Sequence, residues 1–191
     1  MKTAKTALAL MLILWLGAPF SSLAQATVGC ANLPGFDEFD FWLGSWSVTP
    51  MAGGAAAGTN MITKIEHGCA LHEAWTNANG GTGQSINTYN PLLREWRQVW
   101  VSEAAYMIDI KGGLEGDSMV LEGQIFYFLP QSGNAPQTLP FRGRWTPMAD
   151  GDVRQTFEQF DPESDRWTVW FDGRYSQTQK APLPVDHDGV E

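Results

Sequence analysis

The sequence predicts an all-β fold, an up-and-down antiparallel barrel of about ten strands. Short segments in which apolar and polar residues alternate recur at fairly even spacing, and residues that favour turns fill the gaps between them. The segment Phe39–Val48 also joins several aromatic side chains to the triplet Gly44-Ser45-Trp46. Such a glycine lets the backbone bend close to a neighbouring strand, and the indole can close one end of a barrel. A β-sandwich is the alternative, because it is also built from many short strands.

Residues 1–26 have the features of a signal peptide. Lys2 and Lys5 precede the apolar run Ala7–Leu16, and Ala24-Gln25-Ala26 supplies the small residues that a signal peptidase recognises. We expect cleavage after Ala26, and the apolar run is too short to span a bilayer as a mature helix. The sequence therefore predicts a periplasmic or secreted protein without integral membrane association.

The chain has two cysteines, Cys30 and Cys69. In an oxidising compartment they are expected to form one disulfide, which would fasten the N-terminal arm to the barrel. The alternative is a lipid anchor at Cys30, because Thr27-Val28-Gly29-Cys30 has a small residue before the cysteine. A structural zinc ion needs four ligands, so two cysteines alone predict no metal site.

The mature chain should begin with an arm and a plug over residues 27–44. The arm turns at Pro34-Gly35. One helical turn over Asp37–Leu43, capped by Asp37, is expected to close one end of the barrel. A single domain is expected to follow, since neither a repeat nor a linker divides the rest of the chain.

The barrel itself is predicted over residues 45–178. His67-Gly68 and Asn90-Pro91 mark tight connections between consecutive strands. Residues 179–191, rich in proline and acidic side chains, should form a disordered tail. The ten predicted strands are Ser45–Thr49, Thr59–Glu66, Cys69–Thr76, Gln84–Tyr89, Glu95–Ser102, Ala105–Lys111, Ser118–Phe128, Phe141–Pro147, Val153–Phe160 and Trp167–Ser176.

The net charge of the chain restricts its partners. It is −9 at pH 7, and removal of the signal peptide with Lys2 and Lys5 makes it more negative. Nucleic acids and anionic membrane surfaces are therefore improbable partners. A small-molecule ligand remains as the expected partner, and the oligomeric state is left open.

The alternation within two strands points to a candidate ligand site. Glu73 and Trp75 share one face of the third strand, and Trp96, Gln98 and Trp100 share one face of the fifth. The tryptophans are expected to face the interior, which would bring Glu73 and Gln98 inward with them. Most of the tryptophans are expected to be core residues, but the flat faces of those that line a ligand site suit aromatic or cyclic ligands, and Trp75, Trp96 and Trp100 are the candidates.

An inward glutamate needs an explanation. Without a partner its charged form would be disfavoured, so either its pKa rises or an arginine pairs with it. Arg142, Arg144 and Arg154 are the candidate partners, and we assign Arg154 to the predicted site with Glu73. The functional interpretation is a cavity with a polar floor. The structural alternative is an internal ion pair or an exposed face.

Catalytic candidates are few. Glu73 is a possible acid or base, and His72, on the opposite face of the same strand, is a possible general base. No Gly-x-Ser-x-Gly motif is present, and Gly83-Gln84-Ser85-Ile86 lacks its second glycine. His67 and His72 are placed too differently to form a metal pair.

Several blocks of the sequence together resemble a known family. Phe39–Val48, Gly68–Trp75, Gly83–Pro91, Trp96–Trp100 and Trp145 are similar to successive blocks of a secreted bacterial family of unknown function, which is grouped with the lipocalin-like, or calycin, barrels. The resemblance implies a closed barrel that binds a small hydrophobic or amphipathic ligand, and it supports the inward placement of Glu73 and Trp75. Gly44-Ser45-Trp46 is similar to the lipocalin Gly-x-Trp signature.

The predicted barrel is also similar to the haem-binding nitrobindins. The sequence departs from them because no late strand contains a histidine and His187 lies in the polar tail. No cofactor is therefore expected. Three functional hypotheses follow: an exported barrel that binds a ligand through Glu73, Trp75, Trp96, Gln98, Trp100 and Arg154; a cofactor-free isomerase, cyclase or hydrolase using Glu73; and an envelope interaction protein without a ligand.

Overall fold

A computed structural model describes residues 29–129 and 135–179 of the chain. These residues form ten antiparallel strands in which each strand pairs with the next and β1 pairs with β10, so the sheet closes on itself. The predicted all-β, up-and-down barrel is confirmed, and the closure excludes the β-sandwich. The strands are β1 Gly44–Pro50, β2 Gly58–Ile65, β3 Ala70–Asn77, β4 Thr82–Asn90, β5 Glu95–Ser102, β6 Tyr106–Glu115, β7 Ser118–Tyr127, β8 Gln137–Pro147, β9 Val153–Asp161 and β10 Arg166–Gln179.

Some sequence predictions concern residues outside this description. The predicted signal peptide with its cleavage site after Ala26, the tail from residue 180 onward and His187 all lie outside the described residues. Within them, no helix is both long enough and apolar enough to cross a membrane.

An aromatic cluster closes the end of the barrel at which β1 begins. A short 3₁₀ helix, Asp40–Trp42, precedes β1 there. Phe39 and Trp42 are fully buried. Their rings stack with centroids 5.0 Å apart, and the Trp145 ring meets Phe39 edge-on at 5.2 Å. Burial of these rings against the strand interiors gives the plug its packing energy.

The cap of this plug differs from the prediction. Phe39, not Asp37, occupies the N-cap position, and no side chain caps the helix. The backbone carbonyl of Asp37 instead accepts a hydrogen bond from the Asp40 N–H at 3.0 Å. Three residues of 3₁₀ helix leave few free N–H groups, so the backbone turn suffices.

The Gly-x-Trp triplet connects this plug to the barrel. Gly44 has φ +142°, and a Cβ there would lie 2.9 Å from the Gln177 amide nitrogen on β10, so a side chain would be crowded as well as strained. Two residues later, the indole N–H of Trp46 donates a 2.9 Å hydrogen bond to the Trp42 carbonyl. The strand therefore begins against its neighbour and holds the plug in place.

The N-terminal arm is fastened to the same end. Cys30 and Cys69 form a disulfide with 4.7 Å between their Cα atoms. The Cys30 N–H also donates to the His67 carbonyl at 3.0 Å, within the short turn Glu66–Gly68 that joins β2 and β3. The expected disulfide is confirmed, and it engages the sulfur atom that a lipid anchor at Cys30 would need.

Candidate functional site

The end of the barrel opposite the plug holds a cavity of about 70 Å³. The middle and end of β3, the end of β5, the start of β6, the first half of β9 and the middle of β10 surround it, and it opens to solvent. Its wall is mostly aromatic, with a carboxyl and an amide group among the rings. The lining residues are Glu73, Trp75, Trp100, Tyr106, Ile108, Gln155, Phe157, Trp170, Phe171 and Tyr175.

Glu73 lies inside the barrel and is 3% exposed. In the strand register it stands opposite Ile62 of β2 on one side and Ser85 of β4 on the other. Ser85 Oγ donates a 2.6 Å hydrogen bond to Oε2 of Glu73, and Asn60 Nδ2 donates a 2.7 Å bond to Oε1. Each carboxylate oxygen thus has a neutral protein donor from a different neighbouring strand.

Removal from water dominates the electrostatics of Glu73. Burial raises the pKa of Glu73 to about 7, although the hydrogen bonds from Ser85 and Asn60 and the nearby His72 act in the lowering direction. The expectation that an arginine pairs with this glutamate is wrong. Two neutral donors offset only part of the desolvation cost, which is why the pKa rises.

A chain of buried polar side chains extends from Ser85 across the interior. Asn87 Nδ2 donates a 2.9 Å hydrogen bond to Ser85 Oγ, and Gln98 Nε2 donates a 2.8 Å bond to Asn87 Oδ1. Gln98 therefore faces inward, but it reaches Glu73 only through Asn87 and Ser85 and does not line the cavity. Gln98 therefore fixes the position of Asn87, which in turn donates to Ser85, the residue that donates to Glu73.

Trp75 and Trp100 both line the cavity, where alternation places them. The Trp75 ring meets Phe171 edge-on with centroids 6.3 Å apart. Trp100 lies across Gly83 of β4, and a Cβ at Gly83 would overlap the Trp100 ring. The glycine thus lets the indole of Trp100 lie close against the backbone of β4.

Trp96 also faces inward, but at the other end of the barrel. It is 1% exposed, packs edge-on against Phe39 at 5.7 Å and donates from Nε1 to Glu38 Oε2 at 3.1 Å. It does not line the cavity. Because it comes four residues before Trp100 on β5, the length of the strand separates the two indoles, and Trp96 belongs to the plug.

The three arginines proposed as partners of Glu73 lie on the outer surface of the barrel, so the inward placement of Arg154 is wrong. In the guanidinium group of Arg154, Nε and Nη2 each donate a 2.8 Å hydrogen bond to the carboxylate of Asp172. Arg142 pairs with Glu158, and Arg144 with Glu115. The alternation of β9 explains this outcome, since its buried residues Val153 and Gln155 take the inner positions and Arg154 takes the outer one.

His72 also lies on the outer surface of the barrel. Its Nε2 is 2.9 Å from Gln84 Oε1 at an exposed position, on the face of β3 opposite Glu73. It cannot act on a molecule in the cavity. In the part of the chain that the structure describes, no three His, Cys, Asp or Glu side chains come together closely enough to hold a metal ion.

The structure adds cavity residues that the sequence reasoning missed. Gln155 and Phe157 follow from the same alternation that places Arg154 outside. Tyr175 is 2% exposed, and burial together with the nearby Glu73 charge raises the pKa of its phenol. Burial likewise raises the pKa of the Tyr106 phenol. The available signal was the charged residues Arg154 and Glu158 on β9 and Asp172 and Arg174 on β10, which mark the outer positions and leave the positions between them for the interior.

Comparison with known proteins does not extend these observations. No protein-family model matches the chain, and no curated protein matches it significantly. The ten-stranded antiparallel barrel is consistent with a lipocalin-like fold, but no match to a family or to a curated protein adds to that resemblance. Any function therefore has to be argued from the geometry of the site.

Proposed function

We propose that this protein is an exported barrel that binds a small, partly apolar ligand at its open end, with Glu73 fixing the polar part of that ligand. One observation supports this most directly: the Glu73 carboxyl forms the floor of a cavity whose walls are otherwise mostly aromatic and whose mouth meets solvent. Apolar walls with a few convergent polar groups are typical of ligand sites. An interaction protein without a ligand would have no need of such a floor.

The dimensions of the cavity limit the ligand. Its volume of about 70 Å³ is well below the several hundred Å³ typical of sites that enclose drug-sized molecules. It can hold a polar head group with a few carbon atoms. The remainder of a longer ligand would lie at the mouth between the rings of Trp75, Trp100 and Trp170.

The hydrogen bonds of Glu73 leave capacity for such a head group. An ionised carboxylate offers about four acceptor positions, and Asn60 and Ser85 use one on each oxygen. The remaining lone pairs are available to a donor in the cavity. A hydroxyl, an amide N–H or an ammonium group on the ligand would satisfy them.

Export is part of the same proposal. A disulfide persists in oxidising compartments and is rare in the cytosol, so the Cys30–Cys69 bond supports a periplasmic or secreted location. The basic, apolar and small-residue order of residues 1–26 supports it independently.

Three probes with the same carbon chain test this function: n-butylamine, n-butanol and butyrate. Binding is followed by ligand-observed NMR with the wild type and with Ile108→Phe, which adds volume to the cavity wall. We expect at least one probe to bind the wild type and to lose binding in this variant. Overpacking costs about 1–3 kcal/mol, so the fold of Ile108→Phe is checked by its unfolding transition. If no probe binds, or binding is unchanged in the variant, the proposed function is wrong.

General acid–base catalysis is the second candidate function. A carboxyl with a pKa of about 7 can donate and accept protons at neutral pH, which is the property that such catalysis needs. Glu73 would act as the acid or base in an isomerase, cyclase or hydrolase without a cofactor. A turnover whose pH profile follows Glu73 and disappears in Glu73→Gln would support it, and turnover that is unchanged by this substitution would exclude it.

A further inference from the structure

We propose that the ligand of this cavity is a small organic cation, whose ammonium group lies between the Glu73 carboxylate and the amide oxygen of Gln155, and whose carbon atoms lie among the aromatic rings of the mouth. This inference rests on the function proposed above and names its ligand class. Four features of the described residues lead to it.

The first feature is the charge of the lining. Glu73 is the one carboxyl group among the ten lining residues, and none of them is Lys, Arg or His. An anionic ligand would meet the Glu73 charge without a counter-ion in a site of low dielectric constant. A neutral ligand could hydrogen-bond to the carboxylate but would leave its buried charge without a counter-ion, whereas an ammonium ion would supply one.

The second feature is an acceptor that has no partner. Gln155 is 2% exposed and lines the cavity, and its Oε1 accepts no hydrogen bond from the described residues. A buried acceptor without a partner costs free energy. An ammonium group carries up to three N–H donors and no acceptor, so it could serve both this oxygen and Glu73.

The third feature is the ring of aromatic side chains around the mouth. Trp170 meets Tyr106 edge-on at 5.7 Å and Phe157 at 6.2 Å, and Phe171 joins Phe157 at 6.3 Å. Trp75 and Trp100 complete the wall. The negative faces of such rings attract organic cations, and groups of them form the cages that bind alkylammonium ligands.

The fourth feature is the charge of the turns at the open end. Within the described residues these turns carry Glu103, Asp161, Glu163 and Asp165, against a single cation, Arg166 at the start of β10. Together with the net charge of −9, this makes the approach to the mouth favourable for cations and unfavourable for anions.

The three four-carbon probes separate this inference from the function on which it rests. Isothermal titration at pH 7.5 should show n-butylamine binding at least about tenfold more tightly than n-butanol, since a hydrogen bond to a charged group contributes more than a neutral one. Butyrate should bind more weakly than both. If n-butanol or butyrate binds as tightly as the amine and is excluded by Ile108→Phe, the cation inference is wrong and the ligand-binding function stands. If no probe binds, both are wrong.

Two variants identify the anchoring group. Glu73→Gln, which is close in shape, should reduce n-butylamine affinity at least about tenfold and leave n-butanol nearly unchanged. Glu122→Gln, which removes the same charge from an exposed position on β7, should change neither. Equal losses of amine and alcohol binding in Glu73→Gln would overturn the assignment of the ammonium site.

The pH dependence provides a separate readout. Amine binding to the wild type should weaken as pH falls below about 7, because Glu73 takes up a proton, and Glu73→Gln should remove this dependence. Three other titratable groups lie near Glu73. The phenols of Tyr106 and Tyr175 stay neutral at these pH values because burial raises their pKa values. His72 lies on the outer surface of the barrel. His72→Gln should therefore retain the dependence. Its loss in His72→Gln, or its persistence in Glu73→Gln, would contradict the inference.

Discussion

Ser85 Oγ lies 2.6 Å from Glu73 Oε2 across the β3–β4 pair, and this bond joins two buried side chains that face the same interior. Asn60 supplies the second donor from β2 at 2.7 Å. The charge of Glu73 is thus held by neutral groups, with burial acting against it. Several measurable properties of the protein follow from this arrangement.

The first prediction concerns stability between pH 4.5 and 7. Burial raises the pKa of Glu73 from 4.5 to about 7, so between these values the folded state binds more protons than the unfolded state. Stability contributed by this group should therefore fall as pH rises through the window, by up to about 3 kcal/mol. Denaturant unfolding of the wild type at several pH values measures this fall.

The substitution Glu73→Gln should remove this change of stability between pH 4.5 and 7, while Glu122→Gln should leave it as in the wild type. Carboxylates with lowered pKa values, such as Asp109 beside Arg97 and Asp172 beside Arg154, lose their contribution only at lower pH. The stability that these carboxylates contribute increases as pH rises, whereas the contribution of Glu73 decreases. Stability that rises from pH 4.5 to 7 in the wild type, or the same slope in Glu73→Gln, would show that Glu73 is not held as described.

The second prediction concerns the Ser85 hydroxyl. Its bond lowers the pKa of Glu73, so Ser85→Ala should raise that pKa further. Stability should fall by about 1–3 kcal/mol at pH 8, where Glu73 is ionised, and by less at pH 5. The Glu73 carboxyl carbon, followed by NMR during a pH titration, reports the change directly.

Ser176→Ala is the matched control for this change. Ser176 Oγ donates a 2.7 Å hydrogen bond to Asp152 Oδ2 away from the cavity, so the same atom is removed from a similar bond. It should leave the titration of Glu73 unchanged. A Glu73 titration that moves equally in both variants would mean that the shift does not come from the Ser85 bond.

Much of the fold was predictable because its signals are local. Alternation along β3 and β5 brought Glu73 inward together with Trp75, and the turn residues separated the strands. The donors Asn60 and Ser85 were not predictable in the same way, since they lie on other strands and meet Glu73 only through the register of three paired strands. Register is a long-range property, and the sequence of one strand does not contain it.

Trp170 shows a second limit of alternation. The β9–β10 register shifts between Val169 and Phe171, so Trp170 is the extra residue of a bulge. Strict alternation would place Trp170 on the outer face with Asp172, but the bulge brings both Trp170 and Phe171 to the cavity. Arg154, by contrast, follows the alternation of its strand, and its assignment failed because a cationic partner for Glu73 was expected.

The third prediction concerns the disulfide. The Cys30–Cys69 bond closes a separation of 39 residues, so the double variant Cys30→Ser/Cys69→Ser should lose about 3–4 kcal/mol of stability in the chain-entropy model. Guanidinium unfolding measures the loss, and reduced wild type serves as the comparison. The bond lies at the plug end, so n-butylamine affinity of the folded variant should not change. A stability change below about 1 kcal/mol would contradict this view of the arm.

The fourth prediction separates the two ends of the barrel. Phe39 is fully buried in the plug, so Phe39→Ala should cost about 3–5 kcal/mol of stability and leave the affinity for n-butylamine unchanged. Trp170 is 39% exposed at the mouth, so Trp170→Ala should cost only about 1–2 kcal/mol but weaken amine binding severalfold. Unfolding and titration calorimetry on both variants give the two quantities. If Phe39→Ala weakened binding as much as Trp170→Ala, the plug and the cavity would be one energetic unit. If Phe39→Ala leaves binding unchanged and Trp170→Ala weakens it at a smaller loss of stability, the closed end maintains the fold and the open end serves the ligand.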